Sequence, residues 1–338
     1  MGRIRFHTGT LIPSISEMVG YKSGLALARQ ELVDSVSDKD TPRLIEESDC
    51  ALVILRAEEF QQIILDILYR IGNVASPNYE WPTDELFRKY RCDSRKRKIA
   101  RQVVDLFFEF MSSERERNNS GPVDTPGFLM LVLKTHGVAG VRVAFEFLNI
   151  VRNFLHLNPF AKFRSVDWRN TAQLSDLFES ESLTTQYGHF FDQRYLDYLS
   201  ENFDAVDKIN WRKFEGLTGE FFTRLGFNVK VGPGRDDGGI DLRVWRPDGD
   251  ESAPPAILVQ CKREKRKVSK VVVKALYADI INESADSGLI VTSTALSPGA
   301  EKVCRARAYP IQQASRQTLH VWIQSMRQLE ASFSANDF

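Results

Sequence analysis

Asp241, Gln260 and Lys262 are the residues of this 338-residue chain whose types and spacing speak most directly of chemistry. They lie in Gly238-Gly239-Ile240-Asp241-Leu242-Arg243-Val244 and, past a loop rich in Pro, Asp and Gly, in Ala256-Ile257-Leu258-Val259-Gln260-Cys261-Lys262. Both stretches are short, apolar and β-branched between turn residues, and predict strands. Side chains alternate faces along a strand, so Gln260 and Lys262 point one way and Cys261 the other. A hairpin of the two strands brings Asp241 beside that pair. A carboxylate, an amide oxygen and an ammonium gathered there can hold a hydrated divalent cation against a phosphate. Blander roles exist for each residue: a turn Asp capping its own backbone, or a Lys guarding a sheet edge against aggregation. The strand ending in Lys262 is apolar on both faces, however, which predicts a buried central strand and not an edge. The two glycines before Asp241 let the backbone approach a ligand closely.

The elements that must position these groups alternate from about residue 208 onward. The pattern predicts a helix at 208–225, strands near 227–231, 239–246 and 256–263, and a helix at 268–283. A strand at 287–293, a helix at 297–308, a strand at 318–324 and a short final helix follow. That order predicts a mixed sheet flanked by helices. Residues 1–12 look extended, and from Ser14 to about Glu201 the reading is helical. Leu52 to Val74 and Ala100 to Met111 place apolar residues three and four apart, and turn residues at 38–42, 75–82, 118–126 and 158–164 break the run. A junction at 202–210 divides the chain into an all-α part, 1–204, and an α/β part, 205–338. The fold class expected is α+β overall.

Taken together, these pieces resemble the PD-(D/E)XK nuclease superfamily and, within it, the Mrr-type restriction endonucleases, over roughly Trp211 to Met326. The resemblance rests on Phe214-Glu215 opening a helix, Leu225-Gly226-Phe227 closing it, and Asp237-Gly238-Gly239-Ile240-Asp241. It continues in Gln260-Cys261-Lys262, the strand from Gly288 to Ser293, and the helix opening at Ser297 to Ala300. Gln260 stands where the superfamily pattern has Asp or Glu, a change that the Mrr branch often carries. The resemblance implies an αβββαβ core and an endodeoxyribonuclease dependent on Mg²⁺, with Mn²⁺ substituting, that leaves 5′-phosphate ends. It implies Asp241, Gln260 and Glu215 as metal ligands, Lys262 as the group that orients or deprotonates the attacking water, and an often acidic position at Asp237. Because Gln260 brings no charge, a compensating acid is expected, and Glu215 fits the pattern better than Glu220. Glu220 lies five residues on, about 140° further round a helix, so one of the two at most faces the metal. Such enzymes serve restriction or anti-phage defence, commonly as homodimers. Residues 1–204 would then select DNA or receive a partner's or ligand's signal. A catalytically silent or partner-triggered DNA-binding protein and a junction-resolving repair nuclease are the alternatives.

The run Lys262, Arg263, Lys265, Arg266, Lys267, Lys270 and Lys274 would neutralise DNA phosphates beside such a site, or form a solvated loop. Thr292 and Ser293 end a strand near the same sheet edge. The whole chain balances 45 Lys and Arg against 45 Asp and Glu, which excludes a polycation, while residues 205–338 carry 20 against 16. With 43% hydrophobic and 27% charged residues the composition is that of an ordinary globular protein. Cys50, Cys92, Cys261 and Cys304 are far apart and form neither a zinc module nor a disulfide framework. No signal-peptide core and no membrane-length apolar run is evident, so a cytoplasmic protein without a membrane is expected. Arg152-Asn153-Phe154-Leu155-His156 invites comparison with the Arg-Asn…His motif of HEPN ribonucleases. Its spacing is shorter than that family's, and an ordinary helix-surface pair is the expectation.

Overall fold

A computed structural model gives the structure of residues 2–36, 40–74, 76–77, 80–117, 124–158, 166–234, 239–264 and 266–327. The first part runs β1 (Arg3–Phe6), α1 (Leu11–Ser23), β2 (Leu25–Ala26), α2 (Arg29–Asp34), α3 (Asp40–Glu47), β3 (Val53–Arg56), α4 (Ala57–Arg70) and α5 (Pro82–Lys89). It continues with α6 (Ser94–Arg117), α7 (Thr125–Leu157), β4 (Ala172–Gln173), α8 (Asp176–Glu179) and α9 (Gln193–Glu201). A short 3₁₀ turn at Phe203–Asp207 leads into α10 (Trp211–Arg224), β5 (Asn228–Val231), β6 (Leu242–Trp245), β7 (Ile257–Lys262) and α11 (Lys270–Asn282). The last elements are β8 (Ser287–Thr292), α12 (Pro298–Ala306), β9 (Ile311–Ala314) and α13 (Arg316–Met326).

The chain is mixed α/β, with a five-stranded sheet in the order β5-β6-β7-β8-β9 near its C-terminal end. β5, β6 and β7 are antiparallel, whereas β7, β8 and β9 are parallel. β7 is therefore a central strand paired on both edges, and it needs apolar residues on both faces. Val259 packs into a core with α10 and Leu258 into a second core with α11 and α12. The long apolar run ahead of Lys262 follows from that position.

Three expectations give way. Residues 318–324 are not a strand but the middle of α13; the strand is β9, four residues that carried no expectation. The Ser315 hydroxyl caps the backbone of Thr318, and Leu319, Ile323 and Met326 are buried at helical spacing, so a 3.6-residue period overrides β-branched composition. Residues 328–338, where most of a further helix would fall, lie outside the described residues. Leu52 to Val74 is not wholly helical: Val53 and Leu55 are buried while Ile54 and Arg56 are exposed, a period of two that makes β3. Residues 1–204 are accordingly helical but not all-α, with β1 antiparallel to β3 and β2 parallel to β4.

A fourth concerns membranes. Thr125–His156 is long and apolar enough, by length and composition, to cross one. In the structure Phe128, Val132, Val143 and Phe147 of α7 instead pack on α5 and α6 in a core of their own. The largest core ignores the expected division at residue 204. It runs from Phe6 and Leu11 through Phe191 and Leu199 to Leu217, Val259 and Ile323.

α10 is the element that matters most to the site. The Asn210 side chain accepts from the Arg212 N–H at 2.8 Å and caps the helix. Phe214, Leu217 and Phe222 anchor it in the main core. Gly216 lets it touch the loop before α9, since a Cβ there would lie 2.7 Å from the Phe190 carbonyl oxygen and 2.7 Å from Leu183. Replacing a helical Gly by Ala favours the helix by about 1 kcal/mol, but overpacking against backbone costs roughly 1–3 kcal/mol. Gly216→Ala should therefore lower the urea midpoint. An unchanged or higher midpoint would show that the loop yields freely.

Candidate active site

The β6–β7 ladder pairs Leu242 with Val259 and Val244 with Ile257, and comes apart at Asp241. The Asp241 N–H donates to the Val259 carbonyl at 3.0 Å, and its Oδ2 accepts from the Cys261 N–H at 2.6 Å. A carboxylate thus takes the place of a backbone carbonyl where the two strands part. Gly239, two residues earlier, has φ 93°, a conformation suited to glycine. A Cβ at Gly239 would approach the Gln260 Nε2 to 3.2 Å.

A cleft of about 320 Å³ opens at this parting, lined by Glu215, Asp241 and Lys262 together with Trp211, Gly239 and Cys261. Glu215 comes from the first turns of α10 and is buried. Burial, and next the charge of Asp241, push its carboxyl up to about 8, and the two groups are close enough to share a hydrogen bond. Arg212 works the other way, its Nη1 donating to Glu215 Oε2 at 2.6 Å and its Nη2 to the Gly232 carbonyl at 2.6 Å. Cys261 faces α10, its thiol 3.6 Å from the Thr218 hydroxyl and pushed up by burial.

The four residues singled out in sequence are not placed alike. Glu215, Asp241 and Lys262 share the cleft, with Lys262 half-buried at the end of the central strand. Gln260 is not among the cleft-lining residues. It is buried beneath Gly239, and its Oε1 has no hydrogen-bond partner among the described residues. Of the basic run, Arg263 is tied to the Asp207 carbonyl at 2.9 Å, while Arg266, Lys267 and Lys270 are exposed. Lys265, Asp236 and Asp237 lie outside the described residues. Thr292 and Ser293 are buried and bonded to Thr294 and to the Glu264 carbonyl.

Glu220 is buried on the same helix and is fully partnered. Its Oε2 accepts from the backbone N–H groups of His189, Phe190 and Phe191 at 2.7, 2.9 and 3.3 Å, and Arg224 donates to its Oε1 at 2.7 Å. Burial alone would raise this carboxyl, but those donors hold it below the usual range. Arg212 was missed in sequence, although a basic residue three positions before a helix Glu is a recognisable pairing signal. His156 is no surface group either. It is buried, with Nε2 3.1 Å from the Asn73 Oδ1, and burial beside Lys22 and Arg152 pushes it down to about 4.

Residues 206–323 match the family model of the Mrr catalytic domain, described as a restriction endonuclease. That segment is a restriction endonuclease-like domain, and it contains every residue of the cleft. The uncharacterized protein y4cE of Sinorhizobium fredii is 29% identical over 102 residues, which are 30% of this chain. The match spans 26% of that relative's own length. Among solved structures, the MspJI restriction endonuclease in complex with a 27-mer oligonucleotide is similar at 18% identity. The likeness covers 56% of this chain and 41% of that one, with a TM-score of 0.27, too loose to carry an argument.

The two helix acids should respond oppositely to substitution. In chelator, Glu215 binds its proton more tightly folded than unfolded, so between pH 4.5 and about 8 it makes stability fall as pH rises. Glu215→Gln removes that slope, so its midpoint relative to wild type should improve as pH rises through this window. Glu220→Gln leaves its backbone donors poorly matched and should cost roughly 1–3 kcal/mol at neutral pH. Chemical denaturation at several pH values measures both, and parallel pH profiles for wild type and Glu215→Gln would reject the buried-acid assignment.

Proposed function

We propose that the chain is an endonuclease hydrolysing DNA phosphodiester bonds with Mg²⁺, for which Mn²⁺ substitutes. The observation that carries this reading is the buried contact of Glu215 with Asp241 in a cleft that also holds Lys262. Two carboxylates pressed together out of water repel each other, and a divalent cation between them reverses the sign of that interaction. Among the described residues no three His, Cys, Asp or Glu side chains gather to hold a metal. Gln260 offers a third hard oxygen, its Oε1, which has no partner among the described residues but lies beneath Gly239 outside the cleft lining. Its amide must turn toward the cleft to complete a donor set that suits Mg²⁺. Asp241, Glu215 and Gln260 would hold the ion, and when bound it supplies the charge that polarises a phosphate and shields the departing oxygen.

The chain's own groups do the rest. The Lys262 ammonium orients the attacking water by hydrogen bond and offsets charge building on the phosphate. The water oxygen bonds to phosphorus as the bond to the 3′ oxygen breaks; the water gives up a proton to solvent, the departing 3′ oxygen takes one from solvent to become a hydroxyl, and the phosphate stays on the 5′ end. Arg212 holds Glu215 in place from the far side. The basic run that starts at the end of β7 in sequence, Lys262, Arg263, Lys265, Arg266, Lys267 and Lys270, would give salt-dependent affinity for DNA. A homodimer would bring two such sites to opposite strands. Residues 1–204 act as the recognition or regulatory part of a cytoplasmic defence enzyme, reading DNA or a partner's signal, with residues 205–338 as the nuclease.

Plasmid incubated with the purified protein and Mg²⁺ should be nicked or linearised, and Lys262→Ala should lose at least about 100-fold in rate, the scale of one electrostatic contact to a transition state. Equal loss of plasmid with both proteins would assign the cutting to a contaminant. In calorimetry Glu215→Gln should weaken Mn²⁺ binding while Glu220→Gln leaves it nearly unchanged; the reverse order would remove Glu215 from the ligand set.

A further inference from the structure

Far from the cleft in sequence, the end of α5 and the start of α6 concentrate charge in a way that folding does not explain. Residues 88 to 101 hold eight Lys or Arg and one acid, Asp93, in a chain whose charges cancel overall. All eight are exposed. Three have partners: Arg88 with Glu80 at 2.8 Å, Lys89 with Glu146 at 3.2 Å and Lys96 with Asp93 at 4.0 Å. Arg91, Arg95, Arg97, Lys98 and Arg101 form no ion pair with a described residue.

Their placement works against the helix that carries them. The first turns of α6 hold no acidic residue, although a helix N-terminus carries positive partial charge and disfavours cations. Arg97 and Arg101 are four apart and Lys98 and Arg101 three apart, spacings at which like charges repel. Ala100, Val103 and Val104 turn inward to the small core of α5, α6 and α7, so Arg97, Lys98 and Arg101 share the outward face within about 100° of arc. A cationic face that costs helix stability and lacks protein counter-charges suits an outside polyanion.

We infer that this face of α6 is a second nucleic-acid contact, gripping the phosphodiester backbone of duplex DNA without reading its sequence. The choice of DNA rests on the nuclease reading of residues 205–338; the charge pattern stands without it. An anionic membrane is the competing polyanion and fits less well. Asp105 and Glu109 follow on the same exposed face, so a membrane lying along the helix would meet carboxylates within two turns. A duplex crossing the first two turns meets cations alone. The surface would hold long DNA to the protein while the cleft engages one phosphodiester.

The test uses the full chain in chelator, with anisotropy of a short labelled duplex across a salt series. Arg97→Gln/Lys98→Gln/Arg101→Gln should bind roughly 10- to 100-fold more weakly near 0.1 M salt, with the log–log salt slope shallower by about 3. Asp105→Gln/Glu109→Gln, which clears carboxylates from the same face, should bind more tightly than wild type. Circular dichroism and melting confirm that both variants fold. Wild-type affinity and slope in the triple variant would overturn the inference, as would wild-type binding to phosphatidylserine vesicles with no dependence of DNA affinity on these residues. Failure of the nuclease reading looks different: DNA would bind, and respond to the triple substitution, while no metal supported cleavage.

Discussion

The Glu215 carboxyl is buried beside the carboxylate of Asp241, so burial and that neighbouring charge both favour its protonated form, and the surrounding fold holds the two together. Asp241 cannot swing away because its Oδ2 stands in for a ladder carbonyl toward the Cys261 N–H. Glu215 cannot withdraw because α10 is fixed by Phe214 and Leu217 in the main core and by close approach to the Phe190 carbonyl. Arg212 donates to Glu215 and lowers its carboxyl, but burial first and the charge of Asp241 second keep it raised. A buried acid raised beside a second acid is a perturbed pair of the kind that clusters at functional sites.

Glu220 shows what the same side chain does when its role is structural. It occupies the same helix, is as deeply buried, and has every oxygen supplied with donors from the loop at 189–191 and from Arg224. Its carboxyl is lowered, that of Glu215 raised. Burial is common to both, so burial alone does not separate a site residue from a strut. The balance between donors and neighbouring anions does.

Much of the sheet was legible because its strands obey simple rules. β7 had to be apolar on both faces because strands pair on both of its edges, and Lys262 had to mark its end. The pairing of Asp241 with α10 was legible only through the family pattern, since no local period tells which of two helix acids will meet a residue so far along the chain. β9 was hidden by Gln312 and Gln313, polar residues tolerable on an edge strand of four residues. α13 was mistaken because Val321, Trp322 and Ile323 favour strands by composition, while Leu319, Ile323 and Met326 settle the matter by burial at helical spacing. Gln260 lies on the strand face the alternation predicts, yet its amide is tucked under Gly239 and not open to the cleft. Alternation predicts a face; it says nothing of depth.

The cores also bear on how a recognition part could speak to a nuclease part. A division at residue 204 would cut the largest core through its middle, since Leu11, Ile64 and Leu199 belong to the same packed cluster as Leu217, Val259 and Ile323. Packed interiors are stiff and felt by every methylene they contain, so α1, α4 and α9 are mechanically part of the body that carries the cleft. α5, α6 and α7 are different, for Leu86, Val103, Phe128 and Phe147 close a separate core among themselves. A signal arriving at the small core has an interface to shift, whereas one arriving at α1 or α4 would have to deform the interior that holds α10. The bundle of residues 82–157 is thus packed separately from the core that holds α10, whereas the helices before it share that core.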